Sequence, residues 1–160
     1  MPRARSRRPE PGTSSVPPAA RRIVDLDAIR DPLTRSWHRF LPDAGEDVVR
    51  HLVERRAARR GGAPVVHVVG SRGEDGAVAS WADLYLDPAS GLAQIEDLVT
   101  APDRLRRGHA DAVLATALRL AVGAGCGTRF LTADAAGRPR RWYARRGFRE
   151  IGRVHVFERA

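Results

Sequence analysis

Residues 100–127 read "TAPDRLRRGHADAVLATALRLAVGAGCG", and the architecture of the chain follows from how this segment folds. It leaves an apolar run, passes through an arginine-rich turn, and enters an alanine- and leucine-rich segment punctuated by glycines. Ala110, Val113, Leu114, Ala117, Leu118 and Ala121 recur at the spacing of one helix face, whereas Asp111, Thr116 and Arg119 fall elsewhere. Gly123 and Gly125 supply the stop. A loop that leads from a strand into a helix leaves amides without intrahelical partners at the positive end of the helix dipole, which makes it an anion site. Gly108 lets the backbone come close to a ligand, Ala110 is small enough for tight helix–strand packing, and Arg104, Arg106 and Arg107 add charge.

Upstream, "APVVHVVGS", "GAVASWADLYLD" and "GLAQIEDLVT" read as three strands, the first two joined through Gly73 to Gly76 as a hairpin and the third entered through "DPASG". Before them, "RIVDLDAI" suggests a first strand. "DPLTRSWHRFL" and "DAGEDVVRHLVERRAARRGG" suggest helices, the second with Val48, Val49, Leu52 and Val53 at helical spacing and Gly61-Gly62 as its stop. Downstream, "TRFLTAD" reads as a short strand, "RPRRWYARRGF" as a short helix ended by Gly147, and "REIGRVHVFER" as a closing strand. The expected fold class is α/β, with a mixed, mostly antiparallel central sheet flanked by helices on both faces.

A chain of 160 residues with 42% hydrophobic residues is sized for one domain. The net charge of +9 comes without any lysine, so all 28 basic residues are arginine, as a GC-rich genome would produce; the charge alone is poor evidence for a nucleic-acid partner. Residues 1–22 hold six arginines against Glu10, five prolines and no apolar period, and are expected to form a disordered Arg/Pro-rich tail ahead of a domain over residues 23–160. No run approaches the roughly 18 apolar residues of a membrane span. The start lacks an apolar signal segment, so a cytoplasmic location is expected. Cys126 has no partner for an internal disulfide and reads as a buried thiol. The five histidines show no metal-ligand spacing, and no metal is expected.

With these residues in place, "LRRGHA" (Leu105 to Ala110) resembles the Gln/Arg-x-x-Gly-x-Gly/Ala loop of the GNAT (GCN5-related) N-acetyltransferases, with Leu105 standing where that family has Gln or Arg. "YARRGF" (Tyr143 to Phe148), 35 residues beyond Gly108, resembles the same family's Tyr-x-x-x-Gly-Phe element. The asparagine that often precedes that helix is replaced here by "AAGRPRR", and little room remains for two full terminal strands. The resemblance implies the acyl-CoA N-acyltransferase fold and an enzyme moving acetyl from acetyl-CoA to a primary amine, on a small molecule or peptide, by direct transfer in a ternary complex. It further implies that Arg106, Arg107, Gly108, His109 and Ala110 hold the diphosphate, and that the backbone of Leu98, Val99 and Thr100 holds the pantetheine arm. Tyr143 would be the acid that protonates the departing sulfur and Glu96 the group that takes the amine proton, with Asp97 beside it. Asp97 is expected on the opposite strand face. Trp37, Trp81 and Tyr85 are acceptor-site candidates, and a homodimer is compatible with the family. The alternatives are a catalytically silent GNAT-like fold or an arginine-rich nucleic-acid-binding module; a nucleic-acid or membrane partner is not expected.

Overall fold

The computed structural model describes residues 17–155 apart from Val24, together with Phe157. Most of the expected tail, residues 1–16, lies outside the described residues. The chain enters a five-stranded sheet at β1 (Ala20–Ile23), which pairs antiparallel with β2 (Val65–Arg72), Ala20 opposite Ser71 and Ile23 opposite Val68. The strand therefore starts inside the 1–22 segment, because Ala20 and its neighbours have an open ladder on β2 to complete. The hairpin glycines turn β2 into β3 (Val78–Asp87): Gly73 N–H donates to the Ala77 carbonyl at 2.9 Å and Gly76 N–H to that of Gly73 at 3.0 Å. β4 (Leu92–Thr100) continues the antiparallel meander. The fifth strand, β5 (Thr128–Leu131), lies parallel to β4 and completes the order β1-β2-β3-β4-β5.

Helices cover both faces. Alternation in β3 sends Ala82, Leu84 and Leu86 to one side, where they pack with Ala93 and Ile95 of β4 against Val113, Leu114, Ala117 and Ala121 of α3 (His109–Gly123). It sends Trp81 to the other, among Ile29, Leu33 of α1 (Arg30–Phe40) and Val53 of α2 (Glu46–Ala58). Burying side chains of this size on both faces stabilises the sheet by roughly 1.5–3 kcal/mol per fully buried residue. Cys126 is buried at the end of α3.

Three parts of the sequence reading are corrected here, the first being "RIVDLDAI", of which only the start, to Ile23, is strand, while Leu26–Ile29 forms a 3-10 helix. Thr116 is buried rather than off the packed face, because β1 lies across α3 and the Thr116 hydroxyl donates to the Ala20 carbonyl at 3.3 Å. The closing strand does not form within residues 149–155. Ile151 and Val154 stand three apart, so no single strand face can bury both; Ile151 and Phe157 are each 92% exposed. Among the described residues, no helix is long and apolar enough to cross a membrane.

Candidate active site

The β4–β5 ladder is short. Pairing runs from Leu92 with Thr128 to Ile95 with Leu131 and stops there, although β4 continues to Thr100. Among the described residues, β4 has no ladder partner on its β5 side from Glu96 onward, which leaves an opening between the two strands. At the end of this opening the chain makes a short turn, Pro102–Arg104, and enters α3 at His109.

The junction has the form of an anion cradle. Gly108, the residue before α3, sits at φ 82, and among the described residues no side chain caps the helix N-terminus. Arg106 is also left-handed, at φ 59. Both Arg106 and Arg107 are exposed. Arg104 is already engaged, donating to Asp75 at 2.6 Å on the β2–β3 hairpin and meeting Asp103 at 2.9 Å. His109 is buried, its Nδ1 lies 3.1 Å from Ser71 Oγ, and burial, aided by Arg104 and Arg107, holds its pKa below the ordinary value. Leu105 borders a separate 220 Å³ cavity beside Val99 and Thr100. An uncapped helix N-terminus with two exposed arginines fits a diphosphate, and the residues present therefore suit coenzyme A.

The tyrosine element is tied to the first turn of α3. α4 (Arg138–Ala144) ends in Gly147 at φ 86, and Phe148 N–H returns to the Tyr143 carbonyl at 3.2 Å. Tyr143 packs edge-on against Trp142 and Phe148, with ring centroids 4.9 and 5.6 Å away, at the rim of the α3-side core. Burial pushes its pKa up, with Arg146 pulling the other way, so the phenol keeps its proton at neutral pH. Arg146 stacks 3.6 Å over Trp142 and donates to Asp111 in the first turn of α3 at 2.6 Å. That bridge joins the two sequence motifs in space.

Glu96 lies on the opposite face. It stands across from Asp83 in the ladder, and Gln94 orients it by donating to Oε1 at 2.5 Å. It lines a cavity of about 440 Å³ with Arg59, Tyr85, Asp87, Gln94 and Phe130. Tyr85 thus lines this cavity, whereas Trp81 is fully buried and Trp37 packs against the α1–α2 side of the core. Asp97 departs from strand alternation. The register slips between Trp81 and Asp83, so Asp97 and Leu98 together face one partner residue, and Asp97 sits at φ 49. Its carboxylate turns to Arg59 on the same side as Glu96.

Arg56, Arg59 and Asp83 escaped the sequence reading. Asp83 is 1% exposed and accepts from Arg56 at 2.5 Å and Arg59 at 3.4 Å. Burial pushes its carboxyl above the ordinary value against the pull of both arginines. The signal was a lone acid on the Trp81–Tyr85 face of a central strand, which demands a buried cation. Among the described residues, no group of three or more His, Cys, Asp or Glu is placed to hold a metal ion.

The family model described as Acetyltransferase (GNAT) family matches residues 26–148. The chain belongs to the GNAT acetyltransferases. No curated protein matches it significantly by sequence. Solved structures share the fold of this GNAT chain at low identity. Glucosamine-6-phosphate N-acetyltransferase from Arabidopsis thaliana is 15% identical, with a TM-score of 0.65 over 88% of this chain and 99% of that one. PaiA N-acetyltransferase from Thermoplasma acidophilum, solved with coenzyme A, is 12% identical, with a TM-score of 0.65 over 88% and 94%. Ribosomal-protein-alanine N-acetyltransferase from Brucella melitensis biovar Abortus 2308 is 18% identical, with a TM-score of 0.61 over 89% and 98%.

Proposed function

We propose that this GNAT acetyltransferase moves an acetyl group from acetyl-CoA to a primary amine, on a small molecule or peptide, by direct attack in a ternary complex. The observation that carries the reading is the uncapped N-terminus of α3 at Gly108, set at the end of the opening where β4 runs on without β5. The amides of Gly108, His109 and Ala110, with Arg106 and Arg107, hold the diphosphate. The backbone of Leu98, Val99 and Thr100 holds the pantetheine arm.

Acetyl-CoA supplies the activated thioester; the chain's own groups handle protons and charge. The amine arrives as an ammonium in the 440 Å³ cavity, where Glu96 and Asp87 offset its charge. Glu96 takes the proton, freeing the nitrogen lone pair to form the new C–N bond. A β4 amide stabilises charge developing on the carbonyl oxygen. As the C–S bond breaks, Tyr143 gives its proton to the sulfur, and the second proton that the nitrogen loses passes through solvent to restore the phenol. Glu96 lies on the acceptor face and Tyr143 on the coenzyme face, so base and acid serve opposite ends of the reacting group.

Acetyl-CoA titration followed by thermal unfolding, with thiol release measured over a panel of amines, tests this reading. A rise in melting temperature with coenzyme and thiol release with at least one amine are expected. Tyr143→Phe keeps the aromatic packing, so kcat should fall about 10²-fold or more while the acetyl-CoA Kd and the melting temperature stay near wild type. Unchanged kcat removes Tyr143 from the reaction. Binding of nucleic acid in place of coenzyme would favour the arginine-rich binding module.

A further inference from the structure

The β4 bulge is gripped from outside the strand. Asp97 holds a left-handed backbone at φ 49 without being glycine, a conformation that surrounding contacts must impose. Arg59, the residue directly after α2, ties the Asp97 carboxylate to that of Asp83 on the neighbouring strand. Asp83 is in turn fixed by Arg56, which is 6% exposed and meets it at 2.5 Å. Two cations from the end of α2 thus pin the bulge to the middle of the sheet. Ala101 N–H donates to the Ala79 carbonyl, so alternation turns Val99, two residues back and opposite Trp81, to β3 as well, and leaves the amide of Leu98 in the bulge as the one toward the open side of β4.

We infer that Arg59 is a positioning residue: by clamping Asp97 to Asp83 it holds the β4 bulge in the shape that aims the amide of Leu98 at the thioester. The inference rests on the proposed acetyl transfer and names the device that preorganises it. A β-bulge bends its strand and re-aims the residues next to it. Displacing a catalytic donor by about 1 Å costs on the order of 10²-fold in rate. Because Arg59 also borders the acceptor cavity, the rival role is direct contact with the acceptor.

The test compares wild type with Arg59→Ala, Arg59→Lys, Asp97→Ala, Asp97→Gly and the Arg59→Ala/Asp97→Ala double variant. Readouts are kcat, KM for several amines, acetyl-CoA Kd and melting temperature. The clamp requires Arg59→Ala and Asp97→Ala each to lower kcat about 10- to 100-fold, by the same factor for every amine, with amine KM and acetyl-CoA Kd within about 3-fold. The double variant should be no worse than either single one. Lysine, which keeps the charge, should restore part of the rate. Glycine at position 97 tolerates the backbone angle but has no carboxylate, so Asp97→Gly should lose as much as Asp97→Ala.

Effects that add in the double variant, or an amine-dependent rise in KM, would overturn the clamp in favour of acceptor contact. Full activity in Asp97→Gly would also overturn it, since backbone shape would then need no tether. A lower melting temperature with kcat intact reduces Arg59 to a structural ion pair and equally overturns it. If wild type itself neither binds acetyl-CoA nor releases thiol, the proposed function fails instead, which separates the two outcomes.

Discussion

A side chain at Gly108 meets one cost from the backbone and another from the ligand. At φ 82 an alanine would be strained by about 1–2 kcal/mol. Space is not the obstacle, since an added Cβ would lie 3.6 Å from Pro18 Cδ, an ordinary contact. Gly108→Ala should therefore lower the melting temperature with limited loss of acetyl-CoA affinity. Gly108→Glu, which also places negative charge in the cradle, should abolish binding by calorimetry. Its neighbour His109 sets a pH response. Burial, then Arg104 and Arg107, depress the His109 pKa, and burial and Arg22 depress that of His67. A base depressed in the folded state is protonated first in the unfolded chain. Stability is then full above the unfolded value of about 6.5 and is lost as pH falls below it toward the folded values. Melting temperature should hold between pH of about 7.5 and 8.5 and drop by pH of about 6, and His109→Gln should flatten part of that slope.

At the scale of elements, the buried ion pair between α2 and β3 fixes how the helical layer sits on the sheet. Asp83→Ala leaves the Arg56 guanidinium buried without its partner and should destabilise the protein by about 3–5 kcal/mol, read from the urea midpoint. Replacing both residues, as Arg56→Met with Asp83→Leu, should recover most of that loss. Elements whose signal is periodic were legible beforehand: α3 spans His109–Gly123 as the spacing of Val113, Leu114, Ala117 and Ala121 requires, and β2 to β4 match their alternating or β-branched runs. The candidate site was legible where a local motif carries it, as at the strand-to-helix loop around Gly108. The bulge at Asp97 was not, because alternation presumes regular pairing, and the partner of the Asp97 carboxylate, Arg59, is 38 residues away. Thr116 escaped for a similar reason, its partner being the Ala20 carbonyl of a strand 96 residues upstream.

Across the whole molecule the charge is unevenly placed, and its placement bears on the coenzyme. Residues 1–16 carry Arg3, Arg5, Arg7 and Arg8 against Glu10, and the described chain begins beside the cradle, with Pro18 next to Gly108. Sixteen residues span up to about 50 Å when extended, a length that covers the distance to an anion bound there. A cationic segment tethered at such a point raises the local concentration of a polyanion, and the effect fades once the Debye length shrinks below the separation. Deleting residues 1–16 leaves β1, which starts at Ala20, whole, and the melting temperature without coenzyme reports whether the fold is kept. Acetyl-CoA affinity should weaken about 3- to 10-fold at low salt, and the difference from wild type should vanish by roughly 0.5 M salt. Calorimetric titration across that range is the measurement. Equal affinities at low salt would mean that the exposed arginines of the loop, Arg106 and Arg107, supply the steering field without help from the first sixteen residues.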